Sequence, residues 1–305
     1  MGVKVKIWIK EVRAPFFSAV IIPVLLGTAI AANHGVEIGW LNFILTLIGA
    51  VCIHAGINVA NDYFDHINGT DDLNEDFVSP FTGGSRVIQD GLLRPKEVLT
   101  GAFVFLAIGC LIGLYLSYVK GPVILLIGVF GILTGYFYSA PPFQLVNHGL
   151  GEFIIAIDFG ILTTLGAYYV QTQQLSLAPV VASIPISILI AMVLFINEFQ
   201  DYRADKKVGK NQWVVRLGRQ KASLFYAVIM LLTYLSIILG VVFNITPMFT
   251  LLGLLTLPIC VKAIKTARSF FDDPFKLTPA NATTVQLHIL TGVLMTLGYL
   301  LDHWI

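Results

Sequence analysis

Long apolar runs separated by short polar stretches dominate this chain. Nine of them come close to the roughly 20 residues that a helix needs to cross a hydrocarbon core: residues 16–32, 40–60, 98–118, 122–138, 153–170, 178–195, 222–243, 248–264 and 285–301. The pattern predicts an all-α fold, a single transmembrane domain over residues 1–305 with nine spanning helices. A segment of alternating lysines and apolar residues, Lys4 to Lys10, precedes the first run and reads as an interfacial helix with Trp8 at headgroup level. No cleavable signal peptide is apparent.

Composition agrees with this reading. The chain is 56% apolar and 12% charged, with a mean hydropathy of +0.82, which excludes a soluble domain. The charges also set an orientation. Of 19 basic residues, only Lys120 falls on one side of the expected membrane; the others lie with the N-terminus or in loops on the same side. The positive-inside rule therefore places the N-terminus in the cytoplasm and the C-terminus outside, in a multi-pass protein of the cell membrane. Membrane lipids are expected partners and nucleic acid is not. Cys52, Cys110 and Cys260 all fall inside spans without CxxC spacing, so they predict filler rather than disulfides or metal sites.

Two polar clusters break the apolar pattern. The second run continues into Asn58-Val-Ala-Asn61-Asp62-Tyr-Phe-Asp65, followed by Gly69, Asp71 and Asp72. Asn61 and Asp65 share a helical face, and Asn58 and Asp62 form a parallel pair beside them. Gly69 ends the helix and lets Asp71 and Asp72 fold back toward that face. The sixth run delivers Asn197, Asp201 and Asp205, again four residues apart, so the pattern recurs 136 residues downstream as in an internal pseudo-repeat. A carboxylate at bilayer depth costs roughly 2.5–3.5 kcal/mol on insertion scales, so such clusters need cations, partners or water.

Other polar features lie on the same side of the membrane. Arg13 stands at the mouth of the first span, in reach of lipid phosphates. The stretch from Glu75 to Glu97 is too polar to span, and its Gly83-Gly84-Ser85-Arg86 segment could wrap an anion as a lid. Lys206, Lys207 and Lys210 follow the second cluster with Gly209 among them. The fourth run ends in Tyr138-Ser139-Ala-Pro-Pro, where the prolines stop the helix and leave two hydroxyls at the cytoplasmic cavity. Glycines 109, 113, 128, 131 and 135 predict close helix packing in the third and fourth spans. Asp158 is an intramembrane acid open to a functional or a structural role; His54 and His288 read as core histidines, and His148 lacks zinc-type partners.

Carboxylate and amide oxygens without histidine or thiolate select hard cations, Mg²⁺ first. Asn61, Asp62, Asp65, Asp71, Asn197, Asp201 and Asp205 are the candidate metal-facing residues. Two opposed clusters could bridge ions to a diphosphate, with Arg86, Lys207 and Lys210 neutralising the remaining charge. Loss of diphosphate leaves a carbocation, which 21 Phe, 11 Tyr and 4 Trp could stabilise through their ring faces. A lipid-embedded site of this kind suits a long isoprenoid diphosphate.

The paired motifs, with nine spans, resemble the UbiA superfamily of intramembrane prenyltransferases over essentially the whole chain. Within it, Asn58 to Asp65, Gly83-Gly84-Ser85-Arg86, His148 to Glu152, Gly166 to Gln171 and Gly209 to Gly218 resemble the 1,4-dihydroxy-2-naphthoate prenyltransferases of menaquinone synthesis. The resemblance implies Mg²⁺-dependent transfer of a polyprenyl group to an aromatic acceptor. Asn61, Asp65, Asn197 and Asp201 match its metal and diphosphate positions. The implied catalytic set is Asp65, Asp201, Arg86 and Tyr138. Asn61, Asn197, Arg86, Lys207, Lys210, Tyr138 and Ser139 are expected on the diphosphate. The Tyr138 to Gln144 segment is closer to that of chlorophyll synthases and archaeal geranylgeranylglyceryl phosphate prenyltransferases. Gln144 and Leu145 stand where many members carry a basic residue. A glycerol-phosphate ether lipid therefore remains open as the acceptor.

A transporter would spread its acids through the membrane. Here 14 of the 18 acidic residues lie on the cytoplasmic side of the predicted topology, the exceptions being Glu37, Glu152, Asp158 and Asp302. That one-sidedness favours an enzyme.

Overall fold

The computed structural model describes residues 2–304, and the regular structure among them is entirely helical. A surface helix, α1 (Gly2–Glu11), leads through a short 3₁₀ turn into α2 (Ser18–Asn33), then α3 (Trp40–Ile67), the one-turn α4 (Thr70–Leu73), α5 (Pro95–Lys120) and α6 (Val123–Ser139). The second half holds α7 (Gly151–Ile155), a π-helical segment (Ala156–Leu162) and α8 (Thr163–Thr172), which run on as one helix. After these come α9 (Leu177–Val208), α10 (Trp213–Leu217), α11 (Arg219–Val242), a 3₁₀ stretch into α12 (Leu257–Phe270), and α13 (Pro274–Trp304). Eight continuous helical segments are long and apolar enough to cross a membrane, and α6, with 17 residues, is a shorter apolar helix.

Local chemistry explains where these helices start and stop. Pro95 occupies the first turn of α5, where its missing N–H costs nothing, and Glu97 accepts from the Arg94 N–H at 2.8 Å. The Ser176 hydroxyl caps α9 by accepting from the Ala178 N–H at 3.2 Å. At the other end Gly209 adopts φ 78°, and the Lys210 N–H donates to the Asp205 carbonyl at 2.9 Å. That left-handed turn is where glycine is required, and it folds Lys210 back over the acids.

The main core joins α2, α9, α11 and α13 through side chains such as Leu26, Ile30, Phe195, Ile196, Tyr226 and Leu287. A second cluster, with Val12, Val59, Val87 and Val98, packs the N-terminal segment against α3, α5 and the long loop between α4 and α5. Large apolar side chains such as Phe103, Leu111, Leu126 and Leu231 stay exposed, as lipid-facing positions should.

The second and sixth apolar runs continue as helix through their acid clusters, as expected: α3 has 28 residues and α9 has 32, about 42 and 48 Å at 1.5 Å per residue. Both exceed the hydrocarbon thickness of about 30 Å, so the acids ride on helical extensions. One expectation needs revision, because the glycines of the third and fourth spans divide. A Cβ on Gly109 would meet Ile53 at 2.5 Å, as close packing requires, and one on Gly135 would collide with Ile57. Gly113, Gly128 and Gly131 have open space instead and line an internal cavity.

Candidate active site

The acid-bearing ends of α3 and α9 are linked through Lys210, just past α9, and Asn74, just past α4. Asn61 Nδ2 donates to Asp65 Oδ2 at 3.3 Å and forms a short hydrogen bond with the Ser139 hydroxyl, which ties the first cluster to the end of α6. Asp65 Oδ1 accepts from Asn68 at 3.2 Å and from Lys210 Nζ at 2.7 Å. Asp201 Oδ1 accepts from Asn74 Nδ2 at 2.6 Å, the matching link from the second cluster to the segment after α4. Asn197 Oδ1 accepts from Asn281 Nδ2 of α13 at 2.8 Å. Asp205 is buried, and its Oδ2 has no hydrogen-bond partner.

Asp71 folds back as expected and Asp72 does not. Asp71 is buried; burial, then the carboxylates of Asp65 and Asp62, push it up to about 8 despite the pull of Lys210. Asp72 is exposed and faces His66 and Gln89. Lys210 shows the opposite balance. Burial works against its charge, but the Asp65 and Asp205 carboxylates outweigh that and hold its ammonium above the usual lysine range.

The remaining candidates are placed differently. Asp62 turns away from the Asn61–Asp65 face and accepts from the Ser85 N–H at 2.8 Å, with Arg13 at 3.9 Å, so it anchors the glycine-bearing loop. Arg86 is tied to the backbone at Asp71: its guanidinium donates to the Asp71 carbonyl at 2.5 Å and lies over the Phe77 ring at 4.4 Å. Lys207 is exposed on α9. Tyr138 lines the cavity below the clusters, and Ser139 is buried on Asn61.

Several contributors escaped the sequence reading. Asn74 and Asn281 orient Asp201 and Asn197; the only sequence signal for Asn281 is an amide within an apolar helix. Arg13 faces inward, not toward lipid, donating to the Phe81 carbonyl at 3.4 Å and lining the cavity mouth. Glu198 and Glu152 accept the N–H groups of Val214 and Trp213 at 3.3 Å each, which pins α10 beside the site.

Below the clusters an apolar cavity of about 340 Å³ runs between α2, α3, α5, α6, α9 and the α7–α8 helix. Asn61, Asn197, Arg13 and Tyr138 stand in its wall with residues such as Ile57, Val193 and Leu194. A charged head at the acids and a long apolar tail in the cavity would both be accommodated. Among the described residues no three His, Cys, Asp or Glu side chains stand together as a preformed metal cluster. The donor set nevertheless fits a hard divalent ion: it is all oxygen, it includes the unpartnered Asp205 Oδ2, and its buried carboxylates outnumber the single buried lysine among them.

Known proteins match this chain over nearly its whole length. The profile of the UbiA prenyltransferase family matches residues 20–300. The chain is 31% identical to a 2-carboxy-1,4-naphthoquinone phytyltransferase from Synechocystis sp., over 96% of this chain and 93% of that protein. It is 26% identical to a 1,4-dihydroxy-2-naphthoate octaprenyltransferase from Bacillus subtilis, over 96% and 91%. Among solved structures, a UbiA homolog from Archaeoglobus fulgidus bound to DMAPP and Mg²⁺ superposes with a TM-score of 0.61 at 16% identity, covering 94% of this chain and 98% of that one.

Proposed function

The chain belongs to the UbiA prenyltransferase family, and we propose that it transfers a polyprenyl group from an isoprenoid diphosphate to an aromatic quinone-precursor ring within the membrane. The observation that carries this reading is the continuity of the two acid clusters with the apolar cavity through Asn61, Asn197 and Tyr138. Its curated relatives named for naphthoate or naphthoquinone prenylation support the acceptor class.

In this reading the membrane holds nine spans, α6 included, with the N-terminus and the acid clusters on the cytoplasmic side and the C-terminus outside. The basic loops support that orientation. Asp65, Asp71, Asp201 and Asp205, with the amides of Asn61 and Asn197, would hold Mg²⁺. The bound ion would neutralise diphosphate oxygens as they gain charge; the Archaeoglobus fulgidus homolog solved bound to DMAPP and Mg²⁺ supports that pairing.

The protein's own side chains supply the rest. Lys210 lies close enough to pass from Asp65 to a diphosphate oxygen, and the Tyr138 hydroxyl can donate to the same group. The C–O bond breaks with its electron pair staying on the diphosphate, and the allylic cation forms in the cavity. A ring carbon of the acceptor closes the new C–C bond, and the group it displaces leaves without its bonding pair, a ring proton passing to the released diphosphate or a carboxyl departing as CO₂. Phe16 and Phe159 stand in the cavity wall, where aromatic rings can stabilise a cation, and the apolar lining excludes the water that would quench it.

Asp65→Ala and Asp201→Ala should each abolish Mg²⁺-dependent diphosphate release while the folded protein persists. Turnover retained in both variants would refute the metal assignment. Offering the wild-type protein an aromatic acceptor beside a glycerol-phosphate ether lipid decides the acceptor, which the Tyr138 to Gln144 segment leaves open.

A further inference from the structure

Asp158 takes no part in the chemistry above, yet it stands in the wall of the same cavity. It sits in the π-helical segment Ala156–Leu162, a local widening of the helix that is frequent at functional positions. Thr134 of α6 donates to Asp158 Oδ2 at 2.6 Å, while Asp158 Oδ1 is buried without a hydrogen-bond partner. Tying the two helices together would need only a small polar partner for Thr134. A carboxyl inside the membrane, with an acceptor oxygen left over, calls for a donor from elsewhere.

Its depth indicates the donor. Thr134 lies one helical turn inside Tyr138 on the same face of α6. Tyr138 in turn adjoins Ser139, whose hydroxyl holds Asn61 at the acid clusters. A diphosphate bound at the clusters places its allylic carbon just inside Tyr138, and the acceptor ring must lie against that carbon. Apart from His54, whose ring is wedged edge-on between Phe17 and Phe159, Asp158 is the ionisable group of the cavity wall at this level. The last torsion of a carboxylate side chain is soft, so Oδ1 can turn toward a ligand while Oδ2 keeps Thr134.

We propose that Asp158 is a specificity-determining residue, whose Oδ1 accepts a hydrogen bond from a ring hydroxyl of the aromatic acceptor, with Thr134 fixing the carboxyl by its other oxygen. The proposal rests on the aromatic-acceptor reading. It predicts that the enzyme discriminates among acceptors by the position of their hydroxyl groups, since removing the hydroxyl leaves a buried acceptor unpaired.

The experiment measures KM for acceptor and for prenyl diphosphate separately, in wild type, Asp158→Asn and Asp158→Leu. The probes are 1,4-dihydroxy-2-naphthoate and its analogues lacking one or the other ring hydroxyl. Thermal unfolding in detergent confirms that each variant is folded. Asp158→Leu should raise the acceptor KM about tenfold, the loss of one hydrogen bond, and leave the diphosphate KM unchanged. Asp158→Asn, which keeps an acceptor oxygen, should recover most of the loss. With one of the two analogues, wild type and Asp158→Leu should become equivalent. An equal penalty with every acceptor, or KM values for donor and acceptor rising together, would show a packing role and overturn the proposal. A wild type that alkylates the ring while Asp158→Leu keeps its acceptor KM overturns this inference alone. A wild type that alkylates no aromatic acceptor overturns the parent reading and this one with it.

Discussion

Lys210 Nζ lies 2.7 Å from Asp65 Oδ1, with only 5% and 14% of the two side chains exposed. The contact joins the loop after the second cluster to the first, and it gives Asp65 a positive partner where a divalent ion would bind. One carboxylate oxygen cannot serve both cations in the same geometry. Lys210→Met should therefore destabilise the metal-free protein by about 3–5 kcal/mol, the cost of stranding a buried charge. Mg²⁺ should restore more stability to the variant than it adds to wild type. Thermal unfolding with and without Mg²⁺ measures this, and equal Mg²⁺ shifts in the two proteins would count against competition.

Gly84 has φ +68°, and a Cβ there would lie 2.6 Å from Asp71 Oδ2 and 3.0 Å from Asp62 Oδ1. Gly69 has φ +81° with nothing within 4 Å of its would-be Cβ. Substituting alanine forces a left-handed conformation at either site, at about 1–2 kcal/mol. Only Gly84→Ala also pushes two buried carboxylates aside. Both variants should unfold at lower temperature, while diphosphate release should fall sharply in Gly84→Ala alone. Equal activity in the two would mean that the loop does not set the position of Asp71.

The contrast between these glycines bears on what a sequence reveals about such a site. The Asn61–Asp65 and Asn197–Asp201 pairs were readable because helical periodicity fixes which residues share a face. Lys210 was readable as a candidate because it follows a glycine at the end of an acid-bearing helix. Arg86 and Lys207 were equally plausible cations on paper, yet one is committed to the Asp71 carbonyl and Phe77 and the other stays on the exposed face of α9. The path of a loop, and the side of a helix that faces a neighbour, depend on tertiary packing that periodicity does not encode. The widened turn at Asp158 and the open space beside Gly128 and Gly131 are of the same kind.

Glu11 links the surface helix to the loop between α4 and α5, accepting from the Ser85 hydroxyl at 2.5 Å while fully buried. Burial, and after it the Asp62 carboxylate, push it from 4.5 up to about 8. In the unfolded chain it ionises near 4.5, so between about 4.5 and 8 the unfolded state loses a proton that the folded state keeps. Stability should fall as pH rises through that window and level off above it. Glu11→Gln keeps an acceptor for Ser85 and removes the titration. The variant should therefore gain stability relative to wild type at pH 9, by a few kcal/mol at most, and show little gain at pH 4. Denaturation midpoints at the two values test this, and a difference that does not change with pH would exclude Glu11 as the titrating group.

Asn281 is a fully buried amide of α13, and its contacts give it an assigned task. Its Nδ2 donates to Asn197 Oδ1 at 2.8 Å, and its Oδ1 accepts from Gln200 Nε2 at 2.8 Å, so it braces the site residue from behind. With the Asn197 oxygen engaged, its NH₂ group is turned free toward the cavity, where it can donate to a diphosphate oxygen. Asn281→Leu breaks that brace and leaves the Gln200 side-chain oxygen without its donor, which costs about 1–3 kcal/mol of stability. It should also raise the prenyl diphosphate KM by about tenfold, with little change in acceptor KM. If Asn281 acts only by orienting Asn197, the double variant with Asn197→Ala should bind donor no worse than Asn197→Ala alone, because the two changes remove one interaction. Fully additive KM effects would instead assign Asn281 a separate contact with the substrate.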